Sequence, residues 1–250
     1  MTLDFSLTSE QKEIRQLAHE FAEREMRPVA AHFDDTEEFP YEVVTKAHRL
    51  GLSPAGFVPA EYGGQGLDFL TELILNEELS WGCAGIGVCI QSMGLAIAGI
   101  RASGTEEQKK RWLPEFTNPD TLVLGGLGLT EPDSGSDALA MKTRATRVSD
   151  GYVLNGTKQF CTNGGIADYH VIYANTDPRS GPAGIASFLV PKGTPGLRMG
   201  RKEQKLGVRA SHTAQVILED CHIPLDHRLG GEPDAENAGP GALGALMTLE

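Results

Sequence analysis

The apolar pattern of this chain changes period once, at Asn118-Pro-Asp120, and that change restricts the fold more than any other feature. Before it, apolar residues recur at helical spacing. Thr8-Ser-Glu-Gln11 is a capping-box pattern, and Ile14, Leu17, Ala18, Phe21, Ala22 and Met26 follow it as one stripe, with Pro28 near its end. A second helix is predicted over about Tyr41–Leu50, with Gly51 as its C-cap. A loop with Pro54, Pro59 and Gly63-Gly-Gln-Gly66 leads to a third helix after Asp68, and an apolar fourth runs to Ser103. Thr105-Glu-Glu-Gln108 opens a short helix expected to end before Pro114. After residue 120 only short β-rich runs remain: Thr121–Leu124, Met141–Val148, Tyr152–Leu154, Tyr169–Ala174, Ile185–Val190 and Thr213–Leu218. Asp150-Gly151 between two of them is a hairpin signal. No helix alternates with these strands, which argues against a parallel doubly wound sheet. The fold class is therefore α+β. An all-helical domain (1–120) precedes an antiparallel β-barrel-like domain (121–230). A Gly/Pro-rich linker and the first turns of a further helical bundle follow (231–250).

The chain has 250 residues, 40% of them hydrophobic, enough for a sizeable core. Its net charge of −12 argues against nucleic acid or an anionic membrane as partner, since both require clustered Lys and Arg. The apolar run Gly85–Ile100 is broken by Gln91, Ser92 and several glycines and reads as a buried helix. Cys83, Cys89, Cys161 and Cys221 form no CxxC, and no Cys/His cluster has metal-ligand spacing, so they read as reduced thiols and no metal is expected. Met-Thr-Leu-Asp-Phe5 lacks the basic and apolar regions of a secretory signal, so a cytoplasmic location is expected.

Chemistry concentrates in two segments. Leu127-Gly-Leu-Thr-Glu-Pro-Asp-Ser-Gly-Ser-Asp137 gathers hydroxyls, backbone amides and small residues into one turn-rich loop, a composition suited to a phosphate or a heteroaromatic edge. Phe160-Cys-Thr-Asn-Gly-Gly165 places an aromatic ring two residues before a threonine hydroxyl. Taken alone, Thr130-Glu-Pro-Asp133 also reads as a helix N-terminus, and Phe160 as a core aromatic. Gly239-Pro-Gly-Ala-Leu-Gly244 matches GxGxxG but follows an acidic linker instead of a strand, so it is not read as a nucleotide site.

The order of motifs narrows the reading. Pro59-Ala-Glu-Tyr-Gly-Gly-Gln-Gly66, Glu77-Glu78 and Gly104-Thr-Glu-Glu-Gln-Lys109 precede the two segments. Asn155-Gly-Thr-Lys158 lies between them, and Lys205–Thr213 and Glu219-Asp-Cys-His-Ile-Pro224 follow. In this order the chain resembles the acyl-CoA dehydrogenase family. The resemblance implies a helical domain, a β domain and a C-terminal four-helix domain, the last nearly all missing here. It implies FAD as cofactor, lined by Leu127, Gly128, Leu129, Thr130, Gly135, Ser136, Phe160, Cys161 and Thr162. Phe160 would pack on the ring, Thr162 would hydrogen-bond near N5, and Thr130 would face the pyrimidine end. Ser136 would reach the pyrophosphate or the CoA side, and Glu250 the CoA side.

The implied reaction is α,β-dehydrogenation of an acyl-CoA thioester, with electrons passed to an electron-transferring flavoprotein. The family's catalytic glutamate is expected beyond Glu250, which itself stands just short of the place where a minority of members carry it. The 250-residue chain is accordingly expected to be a truncated, largely inactive form of a homodimeric or homotetrameric enzyme. The alternatives are an acyl-CoA oxidase or a flavin monooxygenase on the same scaffold, or a non-catalytic acyl-CoA-binding subunit.

Overall fold

The computed structural model describes residues 6–232 and Gly244. They divide into two compact units. One holds the described residues up to Gln91 with Lys205–Ser211; the other holds Ser92–Gln204 and the described residues from His212 onward.

The first unit is helical. Helix α1 (Ser9–Phe21) begins with the expected capping box: the Thr8 hydroxyl accepts from the Gln11 N–H, and the Gln11 side chain accepts from the Thr8 N–H, both at 3.1 Å. Pro28 offers no N–H, so the ladder cannot pass it unchanged. The chain widens to a π-turn over Ala22–Met26, tightens to a 3-10 turn over Arg27–Val29, and resumes as α2 (Ala30–Thr36). Ala18, Phe21, Ala22 and Met26 are buried across the change of winding, whereas Leu17, expected in the same stripe, is exposed and Ile14 is half-buried. Helix α3 (Tyr41–Arg49) ends at Gly51, whose φ of +74° suits a residue without Cβ. The loop Pro59–Gly66 folds back on Val58. A Cβ on Gly64 would lie 1.8 Å from the Val58 carbonyl oxygen, so only glycine fits.

Helix α4 (Phe69–Gln91) starts where Asp68 accepts from the Thr71 N–H at 2.7 Å. It is broken at Cys83 (φ −166°, ψ 115°). By length and composition α4 is the one helix among the described residues apolar enough to cross a membrane, yet Ile74, Leu75, Leu79, Ile86 and Ile90 are buried within the protein.

The second unit carries α5 (Gly94–Ser103), α6 (Glu106–Thr117) and all the strands. Thr105 caps α6 with a second capping box. Helix α6 runs through Pro114 instead of ending before it. The proline forfeits one backbone hydrogen bond, while Trp112, Leu113 and Phe116 around it are buried and hold the helix in place.

The strands are β1 (Gly125–Gly128), β2 (Arg144–Val148), β3 (Gly151–Thr162), β4 (Tyr169–Asn175), β5 (Ile185–Pro191), β6 (Leu197–Lys202) and β7 (Thr213–Pro224). They form one sheet in the order β1-β4-β2-β3-β7-β6, with β5 on β4. A hairpin forms where Asp150-Gly151 signalled one, but one residue earlier: Val148 and Gly151 pair across Ser149-Asp150, and Gly151 opens β3 instead of lying in the turn. The antiparallel expectation needs correction, because the sheet is mixed. β1 runs parallel to β4 over four residue pairs, and β2 meets β4 in parallel at Arg144 and Asn175. Thr121–Leu124 is not a strand, and β1 begins just after it. Strands β2, β3, β4, β5 and β7 bury Ala145, Leu154, Cys161, Ile172, Phe188, Val216 and Ile223 in one core. Glu250 and the expected helix start at 242–250 lie outside the described residues, Gly244 excepted.

Candidate cofactor site

The two segments singled out by composition are both anchored on β3. Leu127 and Gly128 lie in β1, paired with Val171 and Ile172. Gly128 has no room for a side chain: a Cβ would approach Ile172 Cδ1 to 2.6 Å and Lys158 Cγ to 3.0 Å. The loop then leaves the sheet, and its first residues are tied to β3. The Gln159 N–H donates to the Thr130 carbonyl at 2.8 Å, and Lys158 Nζ donates to the Leu129 carbonyl at 3.0 Å.

Beneath this crossing lies a buried ion pair. Lys158 Nζ is 2.7 Å from Glu131 Oε1, with side-chain exposures of 0% and 4%. The Glu131 carboxylate also accepts from the N–H groups of Lys142 (2.6 Å) and Thr143 (3.0 Å). Burial pushes the Glu131 carboxyl up. The Lys158 ammonium and the hydrogen bonds outweigh it and hold the group below the ordinary carboxylate range. Glu131 is thus a charged, fully engaged acceptor and not a free base.

Phe160 is not a core aromatic. Between Lys158 and Cys161 the register of β3 against β7 shifts, which is the mark of a β-bulge. Phe160 occupies that bulge with φ +56°, and the residue is 62% exposed. A large side chain held in the left-handed region and turned to the surface is costly unless it serves contact with something else. Cys161, next along, points into the sheet core, and burial pushes its thiol up to about 12. Any cofactor contact by Cys161 is therefore confined to its backbone. Thr162 is half-buried at the end of β3, paired with Thr213.

The turn after Thr162 is fixed from below. Asn163 is fully buried with φ +57°, and its side-chain amide donates to Ser92 Oγ (2.7 Å) and to the Gly125 carbonyl (2.9 Å). His170 accepts the Gly165 N–H at 3.1 Å, and burial lowers its pKa to about 4, so the ring is neutral. Gly126 is narrow for the same reason, since its Cβ would come within 3.0 Å of the His170 ring.

Gly135 and Ser136 stand apart on the exposed turn beyond the Glu131–Ser134 bridge. A Cβ on Gly135 would meet nothing within 4 Å, as befits a glycine on an exposed turn. The hydroxyls of Thr130, Ser136 and Thr162 make no hydrogen bond among the described residues, which leaves all three free to bind a polar ligand. The exposed ring of Phe160 and the unbonded hydroxyls of Thr130 and Thr162 suit a flat heteroaromatic group with a polar edge. Sequence reasoning singled out Thr130, Phe160 and Thr162 but missed Glu131, Lys158, Gln159, Asn163 and His170, which hold them. The only sequence signal for Glu131, Lys158 and Asn163 was their position inside the quoted motifs, and Gln159 and His170 lie outside all of them.

Comparison with known proteins identifies the family. The family model of the acyl-CoA dehydrogenase N-terminal domain matches residues 8–120, and that of the middle domain residues 126–221, together well over half the chain. The short-chain specific acyl-CoA dehydrogenase of Clostridium acetobutylicum is 43% identical over 249 residues, covering 99% of this chain and 63% of that protein. Butyryl-CoA dehydrogenase from Megasphaera elsdenii superposes with a TM-score of 0.89 at 35% identity, covering 99% of this chain and 63% of that one. A chain from a solved structure described as the electron transferring flavoprotein of Acidaminococcus fermentans superposes with a TM-score of 0.90 at 39% identity and the same coverage. The chain thus spans less than two thirds of the length of these relatives. With both family models matched in order and the fold shared throughout, the chain belongs to the acyl-CoA dehydrogenase family.

Proposed function

We propose that this chain supplies one face of the FAD site of an acyl-CoA dehydrogenase acting on short-chain acyl-CoA thioesters. The observation that carries the reading is the bulge at Phe160. It turns an aromatic ring outward beside the free Thr162 hydroxyl, with Thr130 fastened to the preceding residue. FAD bound there would accept the hydride from the β-carbon of the acyl chain. Phe160 would cover one side of the ring, Thr130 and Thr162 would donate to its polar edge, and Ser136 would reach the phosphates or the CoA side.

Donors fixed before the reaction stabilise charge as it develops, without reorganisation at that moment. Leu127, Gly128, Leu129 and Gly135 would contribute backbone, and Cys161 its main chain alone. The base for the α-proton is not Glu131, which is paired to Lys158. We place it outside the described residues, where Glu250 and its CoA-side contact also belong. The short-chain preference is supported by the names of the Clostridium and Megasphaera relatives. An electron-transferring flavoprotein as acceptor is supported by the similarity to a chain of the Acidaminococcus flavoprotein structure. A cytoplasmic setting, supported by free cysteines, and a homo-oligomeric parent with domain limits at 120 and 230 complete the proposal.

The test is anaerobic addition of butyryl-CoA to the FAD-loaded full-length enzyme of which this chain is proposed to supply one face. Loss of the oxidised-flavin absorbance, restored by an electron-transferring flavoprotein, is expected. A yellow protein that no acyl-CoA bleaches sinks the proposal. Rapid reoxidation by air alone points instead to an acyl-CoA oxidase.

A further inference from the structure

The two segments that would meet the flavin come from distant parts of the sequence, and one buried pair joins them. Glu131 follows Thr130 directly. Lys158 lies two residues before Phe160. Their charged groups meet at 2.7 Å with almost no solvent. Three further bonds converge on the same spot: Lys158 to the Leu129 carbonyl, and the Lys142 and Thr143 amides to the Glu131 carboxylate. One backbone bond, from Gln159 to Thr130, completes the crossing. Such a pair contributes little net stability compared with well-packed apolar residues, because both charges lose their hydration. Its directional bonds do fix geometry: Lys158 Nζ donates to both the Leu129 carbonyl and Glu131 Oε1, and Glu131 Oε1 also accepts from the Thr143 N–H.

We propose that Glu131 and Lys158 are positioning residues that set Thr130 and Phe160 in the arrangement that receives the flavin. This rests on the FAD reading above. Neither side chain reaches the surface, so neither would touch the cofactor. Their effect would pass through the backbone of residues 129–131 and 158–160.

The experiment compares FAD binding, the visible spectrum of bound flavin and its reduction midpoint in the full-length enzyme of the FAD reading, as wild type and as two variants. The double variant Glu131→Gln/Lys158→Met removes both charges together, so no unpaired buried ion remains. It is expected to fold with a chemical-denaturation midpoint near wild type. It should bind FAD about tenfold more weakly, with an altered visible band and a displaced midpoint, as misplaced contact groups produce. A simple structural role would lower the denaturation midpoint and leave the bound-flavin spectrum and potential alone. The near-isosteric Glu131→Gln, which keeps an acceptor for Lys158, provides the second reading should the double variant not fold. It is expected to show the same changes in smaller degree. A folded variant with wild-type FAD affinity, spectrum and midpoint overturns the proposal by itself. Wild-type protein that binds no FAD overturns the flavin reading and this proposal with it.

Discussion

Asn163 donates its side-chain amide to the hydroxyl of Ser92 at 2.7 Å, across 71 residues of sequence, and this bond ties the turn after β3 to the residue that leads into α5. The same amide reaches the Gly125 carbonyl, so helix entry, β1 and the turn share one anchor. Asparagine suits the place twice over, through its amide and through its tolerance of positive φ. Replacing it with alanine is expected to cost about 3 kcal/mol, combining left-handed strain with two lost buried hydrogen bonds. Asn163→Gly, which accepts the backbone angle, should cost about 1 kcal/mol less than the alanine variant. Urea denaturation of both variants measures the difference, and equal costs would remove the conformational part of the argument.

Phe160 should behave in the opposite way. Its ring contributes little to the folded core and its backbone is strained. Phe160→Gly is expected to leave stability level or raise it by up to about 1 kcal/mol. FAD affinity should fall in the same variant. A thermal melt paired with a flavin titration reads both, and a marked loss of stability would mean that the ring is part of the core after all.

His170 gives stability a specific pH dependence. Its pKa falls from 6.5 unfolded to about 4 folded, because burial disfavours the charged ring. Between those values the unfolded chain binds a proton that the folded chain refuses. The contribution is therefore complete above pH 6.5 and is lost as the pH falls toward 4, a drop on the order of 3 kcal/mol. His170→Gln keeps an acceptor for the Gly165 N–H but cannot titrate. Denaturant midpoints at neutral pH and near pH 4.5 should differ less in that variant than in wild type.

Gly125 tests the packing of β1 against α5. A methyl group there would lie 2.6 Å from Ala96 Cβ and 2.8 Å from the Met93 carbonyl oxygen, and neither belongs to a flexible side-chain end. Gly125→Ala is expected to destabilise by about 2 kcal/mol through overpacking. Chemical denaturation is again the measurement, and a neutral result would show that β1 and α5 can separate without penalty.

What the sequence made legible was local. The capping boxes at Thr8 and Thr105 and the β2–β3 hairpin are decided by residues within a few positions of one another; the boxes formed as expected and the hairpin turn lies one residue before its Asp150-Gly151 signal. Long-range partners decided the features that escaped notice. Strand β1 is Gly-Gly-Leu-Gly, a composition with little strand preference of its own; it is extended because β4 offers it a parallel edge. Strand β6 interleaves Arg198, Gly200 and Arg201 and depends on β7 in the same way. At the site, the chemistry-bearing Thr130, Phe160 and Thr162 stood out by residue type. Glu131 and Lys158 lie 27 residues apart and read as ordinary surface charges until the fold buries them together.

The bulge in β3 also has an evolutionary side. In a regular strand, a change of residue size at one position is felt by the core or by the neighbouring strand. The extra residue at 160 escapes that alternation, while Cys161 and Lys158 on either side keep their inward places. A change of side chain at 160 is expected to leave those inward neighbours in place. The fold thereby separates an outward-facing contact from the buried framework that carries it.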